Sequence, residues 1–288
     1  MRIHVAIATT GRPAIVRQVV DHLSLQERRA DGIVVVGASR EDIAGLEGED
    51  DAVDILLSDR GLCKQRNTAL RHIGNSSDVV VFIDDDFVPA RDFLRRIETL
   101  FRYRPEVVGA TGVLVADGAH TSPIGFEEAV HRLDVLGERP PSRLAECQSL
   151  YGCNMAIRLS AAEGLKFDER LPLYGWQEDV DFTYQLGWRG TLVKTSELTG
   201  IHMGSRSGKT SGLRLGYSQV ANIAYLLRKG TIRGSTGRTL MMRNITANAV
   251  RSLWPEKDID RRGRLAGNFI AARDVLRGRI DPERIEAL

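Results

Sequence analysis

Five consecutive apolar residues, Val79 to Ile83, lead directly into three aspartates, Asp84, Asp85 and Asp86. An uninterrupted apolar run of this length is typical of a strand buried on both faces, as in a parallel sheet. Such a strand delivers the aspartates to the sheet edge, where open α/β folds bind ligands. Adjacent carboxylates repel one another unless a cation is present, and Mg²⁺ is commonly held by carboxylates together with substrate phosphates. A helix cap at Asp86 is the simpler alternative, but it needs only one acid.

Strand and helix patterns alternate on either side of this run. Strands are predicted at residues 3–8, 33–36, 53–57, 79–83 and 107–115, and helices at 13–23, 41–46, 61–70 and 90–103. This alternation indicates an α/β fold with a doubly wound, mostly parallel, Rossmann-like sheet. The pattern fades over residues 116–148, an irregular segment in which we expect part of an acceptor site.

Composition narrows the class of protein further. The chain has 288 residues, of which 42% are hydrophobic and 27% charged, as in an ordinary globular protein. No apolar run approaches the roughly 20 residues that a membrane-spanning helix needs. Three cysteines show neither zinc-like spacing nor a disulfide framework, and the N-terminus shows no signal-peptide pattern. We therefore expect a cytoplasmic protein.

The charge is divided unevenly along the chain. Residues 205–288 contain 17 Lys and Arg against 7 Asp and Glu, which leaves 23 against 31 for residues 1–204. We predict a main domain at 1–204 and a basic helical C-terminal extension at 205–288, with helices near 213–227, 239–254 and 265–276. The basic extension suggests phosphates, an acidic membrane face or nucleic acid as a partner. A helical face that is merely solvated, or helices that pack on their own domain, are the alternatives.

Two further stretches carry candidate functional residues. Gly61 opens a helix with Lys64 and Arg66 in its first turns, which suits an anion because helix N-termini already attract one. Gly175 and Trp176 precede Glu178 and Asp179, an acidic pair expected in the first turn of another helix. The pair either complements the helix dipole or supplies a catalytic base in a partly apolar pocket.

His202 comes after both acidic stretches and leads into a glycine-rich basic turn that contains Lys209. A single histidine is more often a structural group than a ligand. Here its position before a phosphate-friendly turn favours metal binding.

In combination, four motifs over residues 2–204 resemble the family 2 glycosyltransferases of the GT-A fold. They are Gly-x-x-x-x-Arg-Asn at 61–67, a DxD-type motif at 84–86, Asn-Met-Ala-Ile-Arg at 154–158 followed by Phe-Asp-Glu at 167–169, and Glu-Asp at 178–179 with Gly187 beyond it. Each motif is weak evidence by itself. Their order along the chain is what makes the resemblance specific.

The resemblance implies a metal-dependent, inverting, hexosyltransferase-like enzyme. It would move a sugar from a nucleotide diphosphate sugar, UDP-sugar by default, to an acceptor hydroxyl. Asp86 would hold Mn²⁺ or Mg²⁺ across the diphosphate, and His202 would complete the metal shell. Asp179 would be the catalytic base, and Glu178 would bind the acceptor or donor sugar.

The remaining site residues follow from the same resemblance. Contacts with the nucleotide, its diphosphate or the sugar next to it are implied for Thr9, Thr10, Arg12, Ser39, Arg66, Asp84, Asp85 and Lys209. Contacts with the acceptor or donor sugar are implied for Asn154 and Trp176.

One departure from the family concerns the nucleotide. The family commonly has Asp-Asp-Gly-Ser after the second strand, where an acid reads the base, whereas this chain has Val36-Gly37-Ala38-Ser39. A retaining GT-A transferase, a sugar nucleotidyltransferase and a non-catalytic nucleotide- or lipid-binding protein are the alternatives. We expect no nucleic acid partner. A lipid-linked acceptor, with peripheral contact of the basic extension to the inner membrane face, would explain the charge of that extension.

Overall fold

The computed structural model describes residues 1–46, 52–119, 121–136, 142–205, 211–254, 256 and 259–288. Within these residues it has nine strands and eight α-helices. In chain order they are β1 (Ile3–Thr9), α1 (Pro13–Leu23), β2 (Gly32–Gly37), β3 (Val53–Leu57), α2 (Leu62–Ile73), β4 (Val79–Asp84), β5 (Phe87–Pro89), α3 (Phe93–Tyr103), β6 (Val107–Asp117), α4 (Phe126–Asp134), β7 (Leu144–Glu146), β8 (Asn154–Arg158), α5 (Glu178–Leu186), β9 (Thr191–His202), α6 (Gly212–Lys229), α7 (Gly234–Arg251) and α8 (Arg261–Leu276).

The first four long strands form the parallel part of the sheet, in the order β3-β2-β1-β4. Strands β2 and β4 are apolar and almost wholly buried, as expected for strands covered on both faces. The predicted α/β class and the buried apolar run are confirmed. Asp86 does not cap a helix, because the chain continues into β5 rather than into a helix.

Beyond β4 the sheet becomes mixed. Strand β8 pairs antiparallel with both β4 and β6, β6 pairs parallel with β9, and β5 and β7 pair antiparallel with β9. A register shift falls between Gly112 and Val113, where three residues of β9 have no partner on β6. A Cβ at Gly112 would lie 1.7 Å from the backbone oxygen of Leu198, so glycine is what allows this close approach.

The interpretation of residues 116–148 as irregular was wrong in part, because the described portion contains α4 and β7. Helix α4 is short and buries Ala129 alone, so its apolar period gave little signal. Strand β9 continues from Thr191 to His202 in spite of the three residues that have no partner on β6.

The chain folds into two compact units, each assembled from separate stretches of sequence. The first comprises Met1–Arg60, Lys64–Phe167 and Gln185–Gly208, and the second Gly61–Cys63, Asp168–Tyr184 and Lys209–Leu288. The first unit has its core on the sheet, with Val5, Val81, Phe93 and Ile97 fully or almost fully buried. The predicted boundary at 204/205 stays a prediction, since the second unit also includes earlier segments.

The second unit packs α6 against α8 and the C-terminal residues. Its core contains Tyr217, Val220, Ala221, Ala271 and Ile285. Helix α6 is capped at its start by the Ser211 hydroxyl, which accepts from the Arg214 N–H at 3.3 Å, and ends at Gly230 in the left-handed conformation. No helix in the described part of the chain is long and apolar enough to cross a membrane.

Candidate active site

The strand register gathers polar residues at one edge of the sheet in the first unit. His202, the last residue of β9, pairs with Phe87 at the start of β5 and with Asp117 at the end of β6. Asp84 ends β4, and Asp86 immediately precedes Phe87. Residues separated by more than 100 positions in sequence therefore meet because their strands end together.

Asp84, Asp86 and His202 form a cluster able to hold a cation. One ligand atom from each lies within 4.8 Å of the others. The Nε2 atom of His202 is 3.3 Å from Oδ1 of Asp86 and 3.8 Å from Oδ2 of Asp84. Two carboxylate oxygens and an imidazole nitrogen suit a divalent ion such as Mn²⁺. The geometry thus adds Asp84 to the two metal ligands, Asp86 and His202, that the sequence suggested.

Asp117 sets the orientation of His202. Its Oδ1 lies 2.9 Å from Nδ1 of the imidazole, while the Tyr151 hydroxyl donates to Oδ2 of Asp117 at 3.3 Å. An imidazole that donates Nδ1–H to a carboxylate can present Nε2 to a cation once the Nε2 proton is displaced, which is the usual arrangement behind a metal-bound histidine. The sequence pattern did not single out Asp117 as a site residue.

The electrostatics of this cluster favour positive charge. Burial alone would lower the pKa of His202, but Asp117, Asp86 and Asp84 outweigh it and raise that pKa to about 10. Burial likewise opposes ionisation of Asp86, yet the hydrogen bond and charge of His202, together with Arg12, hold the pKa of this carboxyl below its ordinary value. Three carboxylates around one imidazole provide the conditions under which a cation binds.

Asp85 points away from this cluster into the protein. It is fully buried, accepts a hydrogen bond from the Thr9 hydroxyl at 2.7 Å, and lies 2.7 Å from a guanidinium nitrogen of Arg12. Burial raises the pKa of Asp85 to about 7, against the opposing effect of Arg12. Arg12 also donates to Oδ2 of Asp86 at 3.0 Å, and the same oxygen accepts from the Ser205 N–H at 2.7 Å. These contacts position the loops around Asp86.

Arg66 projects from α2 toward the end of β4. Its guanidinium donates to Oδ1 of Asp84 at 3.2 Å and to the carbonyl of Gly152 at 2.8 Å. The group also lies 5.7 Å and 5.4 Å from the ring centroids of Phe82 and Phe167, within cation–π range. The structure therefore places this arginine beside the cluster of Asp84, Asp86 and His202, with 3% of its side chain exposed.

The two loops after β1 and β2 are joined by an acid that the sequence pattern did not reveal. Asp42 accepts from the backbone N–H groups of Gly11, Ala38 and Ser39, at 2.5, 3.0 and 2.8 Å. The Thr10 hydroxyl instead donates locally to the carbonyl of Thr9 at 2.8 Å. Asp42 follows Ser39 by three residues, an offset that could have identified it as the acid that organises the turn.

Asn154 lies inside the sheet. It is fully buried, and its Oδ1 accepts from the Thr111 hydroxyl and from the Gly112 N–H. Its Nδ2 is buried without a hydrogen-bond partner among the described residues.

Asn67, from the Arg-Asn part of the first motif, makes two hydrogen bonds of 2.9 Å to the backbone of Phe167 and so connects two motifs of the family pattern.

The acidic pair belongs to the second unit and begins α5. Glu178 is buried and Asp179 is partly exposed, with Oδ1 of Asp179 accepting from the Val180 N–H at 2.8 Å. The turn before the pair is tight, with positive φ at Leu173, Gly175 and Gln177. A Cβ at Gly175 would lie 2.9 Å from Cγ of Glu178, so the backbone passes directly against this side chain.

Trp176 lies in the same turn, and its carbonyl accepts from Nδ2 of Asn222 at 3.0 Å. Its indole N–H is buried without a hydrogen-bond partner among the described residues. Lys209, for which a phosphate contact was expected, falls outside the described residues.

Several known structures share this fold. S. aureus TarS has a TM-score of 0.55 and 13% identity over 99% of this chain, which spans 55% of the TarS chain. TarS 1–349 in complex with UDP-GlcNAc gives 0.59 and 15%, over 100% of this chain and 84% of that one. A Pyrobaculum calidifontis mannosyltransferase, in complex with GDP-Man and Mn²⁺, gives 0.56 and 16%, over 96% and 80%. No protein-family model and no curated protein sequence matches.

A fourth structure, GalNAc-T7 with UDP, GalNAc and Mn²⁺, gives a TM-score of 0.57 and 12% identity, over 88% of this chain and 58% of that one. The chain therefore has the GT-A fold, as the sequence motifs implied. GalNAc-T7 belongs to glycosyltransferase family 27, so the likeness does not single out family 2.

Proposed function

We propose that the protein is a divalent-metal-dependent glycosyltransferase. It would transfer a sugar from a nucleotide diphosphate sugar to an acceptor hydroxyl. The observation that carries the proposal is the cluster of Asp84, Asp86 and His202 at the strand ends of a GT-A fold. Three of the four similar structures contain a nucleotide or nucleotide sugar, and two of them contain Mn²⁺.

Asp84, Asp86 and His202 would hold the cation, which neutralises negative charge on the diphosphate leaving group when it is bound. Asp117 would keep Nε2 of His202 directed at that position. Arg12 and Ser205 would keep Oδ2 of Asp86 occupied, so that Oδ1 faces the cation. Arg66 would support Asp84 from the other side.

For the chemistry we propose the inverting reaction of family 2, with UDP-sugar as the preferred donor. The hydroxyl oxygen of the acceptor would attack the anomeric carbon of the donor sugar while Asp179 accepts the proton of that hydroxyl. The bond from the anomeric carbon to the diphosphate would break at the same time. Glu178 and Trp176 would bind sugar, and Lys209 would contact phosphate. The acceptor class is open between a lipid-linked and a soluble hydroxyl compound, and the product's anomeric configuration, read by NMR, separates inversion from retention.

A thermal-unfolding panel tests donor and metal binding together. UDP, GDP, dTDP and CMP are each added with and without Mn²⁺ to the wild type, to Asp86→Ala and to the control Asp134→Ala, which removes an exposed acid of the same unit. Ligands of the native state raise the unfolding temperature by mass action. We expect one nucleotide to give a Mn²⁺-dependent shift in the wild type and in the control, and no shift in Asp86→Ala. If no nucleotide shifts the wild type, the transferase proposal fails.

The base assignment is tested separately with Asp179→Asn. Turnover should fall by roughly 10²- to 10⁴-fold, the usual contribution of general base catalysis, while Mn²⁺-dependent nucleotide binding persists. Turnover of Asp179→Asn close to that of the wild type would remove Asp179 from the mechanism and leave the donor site intact. Nucleotide binding without turnover in the wild type, with every acceptor tried, would favour the non-catalytic binding protein.

A further inference from the structure

Helix α8 departs from the usual distribution of side chains. Helix α8 buries Gly267, Asn268, Ala271 and Asp274, while Phe269 and Leu276 are 65% and 88% exposed. The buried polar groups are satisfied within the second unit, since Asn268 donates to the carbonyl of Gly216 at 2.7 Å. Ile270 and Val275 pack against the core of the second unit, whereas Phe269 and Leu276, two of the largest apolar side chains of α8, lie on its outside.

The exposed residues of α8 follow a helical period. Arg262, Ala266, Phe269, Arg273 and Leu276 are all exposed and recur every three or four positions, and Arg277 directly after the helix is exposed as well. Such spacing places them along a single stripe of the helix surface. This stripe alternates arginine with apolar side chains over the whole length of α8.

The end of α7 extends the same kind of surface. Met242 and Val250 are more than half exposed on α7, and Leu253 and Trp254 just beyond it are 70% and 69% exposed. The Arg262 guanidinium donates to the carbonyl of Ser252 at 3.4 Å, so the end of α7 meets the start of α8. We call the set Met242, Val250, Leu253, Trp254, Arg262, Phe269, Arg273, Leu276 and Arg277 the α7–α8 patch.

Cations outnumber acids in the segment that carries the patch. Residues 242–277 contain eight Lys and Arg against four Asp and Glu. Among the described residues, no acidic side chain lies within 4.0 Å of a guanidinium nitrogen of Arg262, Arg273 or Arg277. Arginines without acidic partners, interspersed with exposed Trp, Phe and Leu, are the combination that binds the interface of an anionic bilayer.

We propose that the α7–α8 patch binds the surface of anionic lipid membranes, with its apolar side chains at headgroup level and its arginines on lipid phosphates. A nucleic acid would use the arginines but gain little from the aliphatic Leu276, Leu253 and Val250. A second copy pairing through the same patch would bring like charges together. The proposal concerns a surface of the second unit and does not depend on the transferase activity.

Vesicle co-sedimentation tests the proposal on the full chain. The vesicles are phosphatidylcholine alone, or equal parts phosphatidylcholine and phosphatidylglycerol. The wild type should sediment with the phosphatidylglycerol vesicles at low salt, and not with phosphatidylcholine alone. Replacing two interfacial aromatic residues, or two arginines near the lipid surface, should each weaken binding by roughly tenfold or more. The variants are Trp254→Ser/Phe269→Ser and Arg273→Gln/Arg277→Gln.

Matched controls come from the first unit. Trp188 is 79% exposed there, and Arg102 and Arg132 are exposed arginines that pair with Glu98 and Glu128. Trp188→Ser and Arg102→Gln/Arg132→Gln should bind like the wild type. The patch variants and Trp188→Ser should keep the wild-type unfolding temperature, because the substituted side chains are exposed. Arg102→Gln/Arg132→Gln should lower it by only a few degrees, because exposed ion pairs contribute little.

Three results would overturn the proposal. They are failure of the wild type to bind anionic vesicles, equal binding to phosphatidylcholine alone, and losses in the controls as large as in the patch variants. A lipid-free dimer in light scattering that Trp254→Ser/Phe269→Ser abolishes would also overturn it, and would assign the patch to a second copy. Tight binding of single-stranded DNA that competes with the vesicles would assign it to nucleic acid. The thermal-unfolding panel with nucleotides reports on the donor site independently.

Discussion

Helices α3 and α8 are both rich in arginine, yet they distribute their side chains in opposite ways. On α3, Phe93, Leu94, Ile97 and Phe101 are 0–1% exposed, and Arg95, Arg96 and Arg102 each lie within 4.0 Å of an acid. On α8 the fully buried residues are small or polar, and Phe269 and Leu276 lie outside. The exposed Arg262 and Arg273 lack acidic partners in the described part of the chain. Composition alone does not separate the two helices. The arginines of α3 are paired with acids of the same chain, whereas the exposed surface of α8 is suited to a partner.

The edge of the sheet shows the converse departure from ordinary burial. There, charged groups are inside: Asp85 and Asp86 are 0% and 2% exposed, and His202 is 8% exposed. Burying charge costs free energy unless the charge is paired, so a cluster with three acids around one imidazole needs a function to explain it. The exposed apolar residues on α8 and the buried acids at the sheet edge therefore depart from ordinary burial in opposite ways. Each departure indicates a ligand, and the two ligands differ in chemistry.

The largest difference is expected between the free energies of unfolding of Phe93→Ala on α3 and Phe269→Ala on α8. Removing the buried ring of Phe93 should lower the free energy of unfolding by about 3–5 kcal/mol, because the ring leaves a cavity in the core. Removing the exposed ring of Phe269 should change it by less than about 0.5 kcal/mol. Urea unfolding followed by circular dichroism measures both.

The contrast between α3 and α8 is wrong if Phe269→Ala lowers the free energy of unfolding as much as Phe93→Ala does. Such a result would mean that the outer stripe of α8 is covered in the folded protein. A suitable control is Leu276→Ala, which removes another exposed side chain of α8 and should also leave the free energy of unfolding unchanged.

A smaller effect, on the affinity for Mn²⁺, is expected from Asp117→Asn, which tests the role of the buried charges at the sheet edge. Without this carboxylate the Nδ1 atom of His202 loses its acidic acceptor, and Nε2 is less firmly directed at the cation. Outer-shell partners of this kind typically contribute 10- to 100-fold to metal affinity, about 1.4–2.7 kcal/mol. Titration calorimetry with Mn²⁺ measures the affinity directly.

Tyr151→Phe supplies the graded control, since it removes only the hydroxyl that donates to Asp117 at 3.3 Å. Its Mn²⁺ affinity should fall less than that of Asp117→Asn. Unchanged Mn²⁺ affinity in Asp117→Asn would show that His202 is oriented by the backbone of β9 rather than by this carboxylate.

How far the sequence predicts this molecule depends on whether a feature is local. Residues 79–83 predict a buried strand because an apolar run needs no information from elsewhere, and the α/β class follows from the alternation of such runs. Asp117 and Asp42 were missed because their roles depend on register and loop geometry. His202 meets Asp117 only through the pairing of β6 with β9, and Asp42 meets Gly11 across 31 positions. Its position two residues beyond a predicted strand was the one local sign of Asp117.

The exposed stripe of α8 illustrates the same limit. Leu265 to Leu276 shows a helical period in sequence, and periodicity identifies a helix without saying which face is buried. The buried face is decided by the close approach of α6, where a Cβ at Gly267 would lie 2.1 Å from the backbone oxygen of Leu213. Small residues therefore turn inward, and Phe269 and Leu276 on the opposite face are left outside.

The smallest effect is expected from replacing single arginines. The change in unfolding free energy should be destabilising on α3 and stabilising on α8. Arg102→Gln on α3 removes an exposed pair with Glu98 at 2.8 Å and should cost about 0.3–0.5 kcal/mol of unfolding free energy. Arg262→Gln on α8 removes a cation near a helix N-terminus, one residue from Arg261 and two from Arg264, and should stabilise by a few tenths of a kcal/mol. Urea unfolding at low salt, averaged over replicates, measures both values.

High salt provides the internal check on that pair of variants. At about 1 M NaCl the Debye length is only about 3 Å, so both variants should approach the wild type. If Arg262→Gln is instead destabilising at both salt concentrations, the hydrogen bond of Arg262 to the Ser252 carbonyl outweighs the repulsion among the arginines of α8, and Arg262 is stabilising like the arginines of α3. Opposite signs at low salt that vanish at high salt would show that α3 is neutralised by its own acids, whereas the charge of α8 is left for an external anion.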